Sequence, residues 1–185
     1  MGIELKLNNV RLAYPNLFVP TSFEDDQEKK YQATLIIKKG SPQHAALTAA
    51  VKKVRDETFP SGAPAVFKHC IRDGEEKAAK DGFGGDVVFI SPKNKKRPTV
   101  VDRDRTPLTE SDDRPYGGCM VNAIVEVWGQ NAPKYKRVNV SLLAIQFYAD
   151  GDAFGGSRTA RADDFDDVSG EAAPVSATAD DPLFA

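Results

Sequence analysis

The chain has 185 residues, 41% of them hydrophobic, and its 25 basic and 27 acidic groups leave a net charge of −2. That length allows one ordinary domain plus a tail, with core enough to fold without disulfides or metal. The near-neutral total conceals a split: residues 1–161 hold all 25 basic groups against 20 acidic ones, whereas 162–185 hold seven acidic groups and no basic one. A body at +5 therefore carries a tail at −7.

Several classes fall away early. Two cysteines, Cys70 and Cys119, make no disulfide framework, and with only His44 and His69 beside them they make no zinc-ligand spacing. No stretch approaches 18 apolar residues, which excludes a transmembrane helix and any membrane role resting on one. Met1–Leu17 is interrupted by Glu4, Lys6, Asn8, Asn9 and Arg11, so it does not read as a signal peptide. A soluble intracellular protein is expected.

In chain order, Glu4–Leu12 alternates around Leu5, Leu7 and Val10 and reads as a strand, broken by Tyr14-Pro15-Asn16. Leu17–Pro20 is a short apolar connection and Glu24–Lys30 a charged loop. Lys30–Lys39 reads as a second strand. It places Tyr31, Ala33, Leu35 and Ile37 on a core face and Gln32, Thr34, Ile36 and Lys38 on the other. Ser41-Pro42 opens the one convincing helix, because Ser41 can cap orphan N–H groups and proline at the first helical position loses no hydrogen bond. Leu47, Ala50, Val51 and Val54 form its apolar stripe to about Thr58.

Pro60–Pro64 ends the helix, Phe67–Ile71 is ambiguous, and Asp73–Gly85 reads as a loop. Asp86–Ser91 is a buried strand. The basic run Lys93–Arg97 follows, then an extended Pro98–Asp102 and a polar, turn-rich Arg103–Pro115. Cys119–Trp128 is a long strand whose odd positions are all apolar, with one face in the core and the other partly open. Gly129–Lys136 reads as a hairpin loop and Arg137–Ala149 as the last strand. Five or six strands, one helix and no βαβ alternation predict a mainly β fold, a mostly antiparallel sheet or small barrel.

Catalytic constellations are missing from this pattern. His69 and Cys70 are adjacent, so on a strand they point to opposite faces and cannot form a dyad. Gly82–Gly85 lacks the helix and the Gly-Lys-Ser/Thr of a phosphate-binding loop. No cofactor and no metal are expected. Basic groups interleaved with aromatics remain. Lys93, Lys95, Lys96, Arg97, Arg103 and Arg105 fall in one segment, and Lys134, Tyr135, Lys136 and Arg137 follow Trp128. Cations that displace counterions from phosphates, beside rings that stack on bases, suit single-stranded nucleic acid. A solvated charge run beside a core tryptophan is the plainer alternative, and +5 is a modest footprint.

The tail weighs toward the first reading. Asp163-Asp164-Phe165-Asp166-Asp167 is acidic, the next residues are small, and the chain closes Asp180-Asp181-Pro182-Leu183-Phe184-Ala185. Hydrophobics behind acids at the end of a flexible segment suit a partner with a basic-rimmed apolar pocket, and a −7 tail can compete for a cationic groove. A merely solubilising tail is the alternative.

The tip resembles that of bacterial and T7-like phage single-stranded-DNA-binding proteins, which end in acids and an aromatic. The body resembles a phage family labelled as a domain of unknown function, DUF2815, with single-stranded-DNA-binding members of OB-fold. The resemblance rests on Arg11–Phe18, Lys30–Ile37, Ile71–Gly74, Arg97–Asp102, Tyr116–Cys119, Ile145–Phe147 and Asp152–Gly156, then Asp164-Phe165, over roughly residues 8–168. It implies an OB-fold-like antiparallel barrel over 1–161 and a disordered acidic tail over 162–185.

The function so implied is sequence-independent coating of single-stranded DNA during replication or recombination, in the cytoplasm of an infected bacterial host. Tyr14, Phe18, Tyr116, Trp128 and Tyr135 are the stacking candidates. Lys93, Lys95, Lys96, Arg97, Lys134, Lys136 and Arg137 are the phosphate candidates, followed by Arg72, Arg103 and Arg105. Asp180, Asp181, Pro182, Leu183 and Phe184 would recruit replication or recombination proteins, and a homo-oligomer is compatible with this. A protein-interaction or virion accessory module and a strand-annealing recombination protein are the alternatives.

Overall fold

The alternating segment near the C-terminus forms the centre of the fold. In the computed structural model, which describes residues 2–22, 24, 27–155, 165–166 and 169–170, it is strand β7 (Met120–Ala132). Cys119, Val121, Ala123, Val125 and Val127 are all fully buried, as the period-2 pattern requires. On one side β7 pairs with β8 (Tyr135–Ala149) from Met120↔Ala149 to Ala132↔Tyr135. The expected loop Gly129–Lys136 therefore shrinks to Pro133-Lys134. Gly129, Gln130 and Asn131 join the ladder opposite Val138, Arg137 and Lys136, their weak strand preference overridden by cross-strand pairing.

On its other side β7 meets β1 (Ile3–Thr21) from Ile3↔Val127 to Arg11↔Met120. The expected break at Tyr14-Pro15-Asn16 does not occur. Positive φ at Asn9 (52°) and Tyr14 (46°), with register shifts at Leu7/Val10 and Ala13/Asn16, puts bulges into the strand instead. A bulge absorbs a residue that cannot join the ladder and bends the strand, so β1 leaves β7 and continues along β2 (Lys30–Lys38). Strand β4 (Val87–Ile90) pairs with β2, and the two-residue β3 (Arg72–Asp73) with β4. The two-residue β5 (Lys93–Asn94) also pairs with β2. At the far edge β6 (Thr99–Val101) runs parallel to β8, and every other ladder is antiparallel.

The sheet order β3-β4-β2-β1-β7-β8-β6 curls on itself. Asn94 Nδ2 of β5 donates to Leu142 O of β8 at 2.9 Å, and Val138 N of β8 donates to Lys68 O at 3.0 Å. The expected mainly β architecture with one helix is the one observed; the sheet is open rather than a closed antiparallel barrel, and its β6–β8 ladder is parallel. The ambiguous segment Phe67–Ile71 contributes to the curl by bridging Lys68 to Arg137. The expected boundary at 161/162 and the tail tip lie outside the described residues.

Helix α1 (Pro42–Thr58) begins where expected, with Ser41 Oγ accepting from His44 N at 3.2 Å. Leu47, Ala50, Val51 and Val54 seat it on the core face of the sheet. Thr34 and Ile36, on the face of β2 opposite Ala33, Leu35 and Ile37 as expected, are themselves buried at 5% exposure. The outer side of β2 carries a second apolar cluster of Ala13, Ile36 and Phe89, packed by Phe83, Val87 and Phe154, and Thr34 Oγ1 pairs with Ser91 Oγ. Tyr31, expected in the core, sits half-buried at the strand's start. Two of the second cluster's rings, Phe83 and Phe154, come from loops, which is why strand alternation does not forecast it.

Candidate nucleic-acid interface

A groove of about 760 Å³ opens where β5, β8 and the segment 68–72 converge. Six cations line it: Lys30, Lys68, Arg72, Lys93, Lys95 and Arg137. Among the described residues no carboxylate lines it. Two acids stand at its margins, with Glu28 on Lys95 at 2.8 Å and Glu76 accepting from Arg72 Nε at 2.9 Å. Coming from separate elements, the cations share one surface only because the sheet curls.

Like charges stand close together in the groove. Lys93 is held below its ordinary value, first by partial burial and second by the neighbouring charge of Lys30. An incoming phosphate would ease the repulsion between such like charges. Trp128 supplies the ring. It stands half-buried on the mixed face of β7, its Nε1 donating to Ser141 Oγ of β8 at 2.9 Å. Asn139 and Gln130 continue the polar lining and bond to each other, Nδ2 to Oε1 at 3.2 Å.

Among the sequence candidates, Arg72, Lys93, Lys95, Trp128 and Arg137 meet in this groove. Tyr135 is 53% exposed with the Arg137 guanidinium 5.3 Å over its ring. Arg97 lies 5.5 Å over Phe18, which packs against the core, and Lys96 is exposed beside Lys95. Lys134 caps the β7–β8 hairpin, and Lys136 Nζ donates to Asn131 Oδ1. The rest stand elsewhere. Arg103 and Arg105 are exposed in the turn after β6. Tyr116 is half-buried, its hydroxyl donating to Asp150 Oδ1 at 2.7 Å, where it ties the approach to β7 to the end of β8. Tyr14 stands beside the outer cluster, exposed and stacked on Phe83 at 6.2 Å.

Sequence reasoning missed Lys30 and Lys68. Lys30 reads as the end of a charged loop and Lys68 sits in a segment without periodicity, so no local signal marks either. Cys70 also borders the groove, where burial pushes its thiol up to about 12 and keeps it protonated at neutral pH. Among the described residues no three His, Cys, Asp or Glu side chains gather as metal ligands, and no helix is long and apolar enough to cross a membrane.

A curled β domain with a cation-lined, tryptophan-bearing groove has the attributes of a single-strand-binding class. Residues 3–175 match the family model described as the single-stranded-DNA-binding protein of Enterobacter phage Enc34, and the chain belongs to that family. Protein p50 of Acyrthosiphon pisum secondary endosymbiont phage 1 is 40% identical over 177 residues, covering 90% of this chain and 95% of that protein. The structure of the single-stranded-DNA-binding protein from bacteriophage Enc34 in complex with single-stranded DNA superposes with a TM-score of 0.68 at 28% identity. That match covers 82% of this chain and 89% of that one. The bacteriophage T7 single-stranded-DNA-binding protein gp2.5 shares the fold, with a TM-score of 0.54 at 12% identity over 85% of this chain and 98% of that one.

Proposed function

We propose that this chain binds single-stranded DNA without sequence preference in the groove bearing Trp128, coating strands exposed during phage replication or recombination in the infected cell's cytoplasm. The carrying observation is the convergence of six cations from separate elements around one tryptophan, with no acid in the lining among the described residues. Phosphates would sit against Lys30, Lys68, Lys93, Lys95, Arg72 and Arg137, and a base would stack at Trp128. Charge and stacking would carry that binding without regard to sequence. Family membership and the likeness to a protein solved with single-stranded DNA support this reading.

The acidic tail extends the proposal. Its −7 charge would compete with DNA for the groove, and Asp180–Phe184 would recruit partner proteins of replication or recombination. Retention on single-stranded-DNA cellulose tests the core of this reading. The chain should bind at low salt and elute as salt rises, whereas a protein-interaction or virion module would flow through. Acceleration of complementary-strand pairing would instead mark the annealing alternative.

A further inference from the structure

The largest cation–aromatic assembly of the described residues stands outside the groove. The Lys77 ammonium lies 5.1 Å over Tyr14, 5.5 Å over Phe83 and 5.2 Å over Phe89. Tyr14 stacks on Phe83 with an interplanar angle of 18°, and Phe83 meets Phe89 edge-on at 5.2 Å. Packing of the apolar cluster accounts for Phe89, which is fully buried. Tyr14, carried at the β1 bulge, keeps 47% of its surface exposed instead. An exposed ring beside a cation has the chemistry to stack on a base.

Arg72 joins this assembly to the groove. Arg72 lines the groove, and its guanidinium, bonded to Glu76, lies 5.1 Å over the Phe89 ring. Beyond Tyr14 a second cavity of about 460 Å³ opens, lined by Tyr14, Lys80, Gly117 and Phe154 among others. Phe154 is pinned there, because Arg11 lies 4.4 Å over its ring while donating to Gly118 O and Asp152 O. Gly82 admits that ring: a Cβ there would stand 2.5 Å from Phe154 Cζ.

We infer that the single strand held in the groove continues past Arg72 onto a second stacking station, Tyr14 on Phe83 beneath Lys77, with the cavity at Phe154 accepting the next base. This rests on the proposed single-strand binding and adds a length requirement to it. The occupant is the same polyanion because the station is continuous with the groove through Arg72 and presents Lys77 and Lys80 for phosphates. Asp81 also lines the second cavity, where its carboxylate accepts from Gly155 N at 3.4 Å.

The test follows Trp128 quenching by oligo-dT of about 4 and about 16 nucleotides, the ends of the range for one OB fold. The short strand fills the groove alone. Tyr14→Ala should weaken the long strand about tenfold, in line with one lost base stack, and leave the short strand unchanged. Tyr14→Phe should restore wild-type binding. Lys77→Gln should lower the salt slope for the long strand by about 0.7, one single-strand phosphate, and leave the short strand's slope alone. Thermal unfolding confirms that each variant is folded. Wild-type affinity of both Tyr14→Ala and Lys77→Gln for the long strand overturns the second station while leaving the groove in place. Equal loss on both lengths also overturns it, and failure of the unmodified chain to bind either strand overturns the groove as well.

Discussion

Trp128 and Ser141 are joined across the β7–β8 ladder by a 2.9 Å hydrogen bond from the indole Nε1 to the serine hydroxyl. The bond fixes the ring plane at the groove wall before any ligand arrives, and a fixed ring loses less entropy when a base stacks on it. Trp128→Ala should therefore weaken oligo-dT binding about tenfold or more, the loss of one base stack. Ser141→Ala should weaken it less, while lowering the steady-state anisotropy of the indole. Nitrocellulose filter binding measures the first without relying on the tryptophan signal.

Lys93 makes the affinity pH-dependent at the alkaline end. Its native value lies below 10.5 because it is partly buried and near Lys30. Below that lowered value Lys93 is charged in both folded and unfolded states, and its charge costs stability. As pH rises toward 10.5 the folded state deprotonates first, so the cost is relieved and stability gains from this group. Binding runs the other way, because a phosphate requires the charged form. Affinity should therefore start to fall before an ordinary lysine titrates. Lys93→Arg should hold its affinity through that range, as fluorescence titrations at stepped pH would show.

Removal of 162–185 takes away seven acidic groups and leaves a body of net +5. Single-strand affinity should rise at low salt and converge with that of the full chain as salt screens the tail. Filter binding of the two forms across a salt series measures this, and equal affinities at low salt would remove the competition between tail and DNA.

Gly129 sets how closely α1 approaches the sheet. A Cβ at Gly129 would collide with the side chain of Thr58, whose Oγ1 donates to Val54 O at 2.6 Å. Gly129→Ala should lower stability by roughly 1–3 kcal/mol, the usual cost of overpacking. Adding Thr58→Ala should recover part of it, since the two share one contact. Urea unfolding of the single and double variants gives the coupling.

Legibility in the sequence followed the range of the signal. The odd positions of β7 and the Leu47–Val54 stripe of α1 are local periodicities backed by burial, and both elements formed where those residues placed them. Tyr14-Pro15-Asn16 reads as a stop because proline and asparagine disfavour strands. Two bulges carry β1 through, and bulges depend on partners that local sequence does not show. The same holds for the groove. Trp128, Lys93 and Arg137 stand out as residue types, whereas Lys30 and Lys68 become groove residues only once β5 and segment 68–72 curl onto β8. Arg103 and Arg105 share the basic segment with Lys93 yet stand apart from the groove, because β6 intervenes.

Because Trp128 is the only tryptophan in the chain, its fluorescence reports the groove without interference. Titration with oligo-dT at two salt concentrations tests the central claim most directly. The account predicts quenching that saturates, with an affinity that falls steeply as salt rises, by about 0.7 logarithmic units per contacted phosphate for each tenfold increase. Absence of quenching, or binding indifferent to salt, would contradict it.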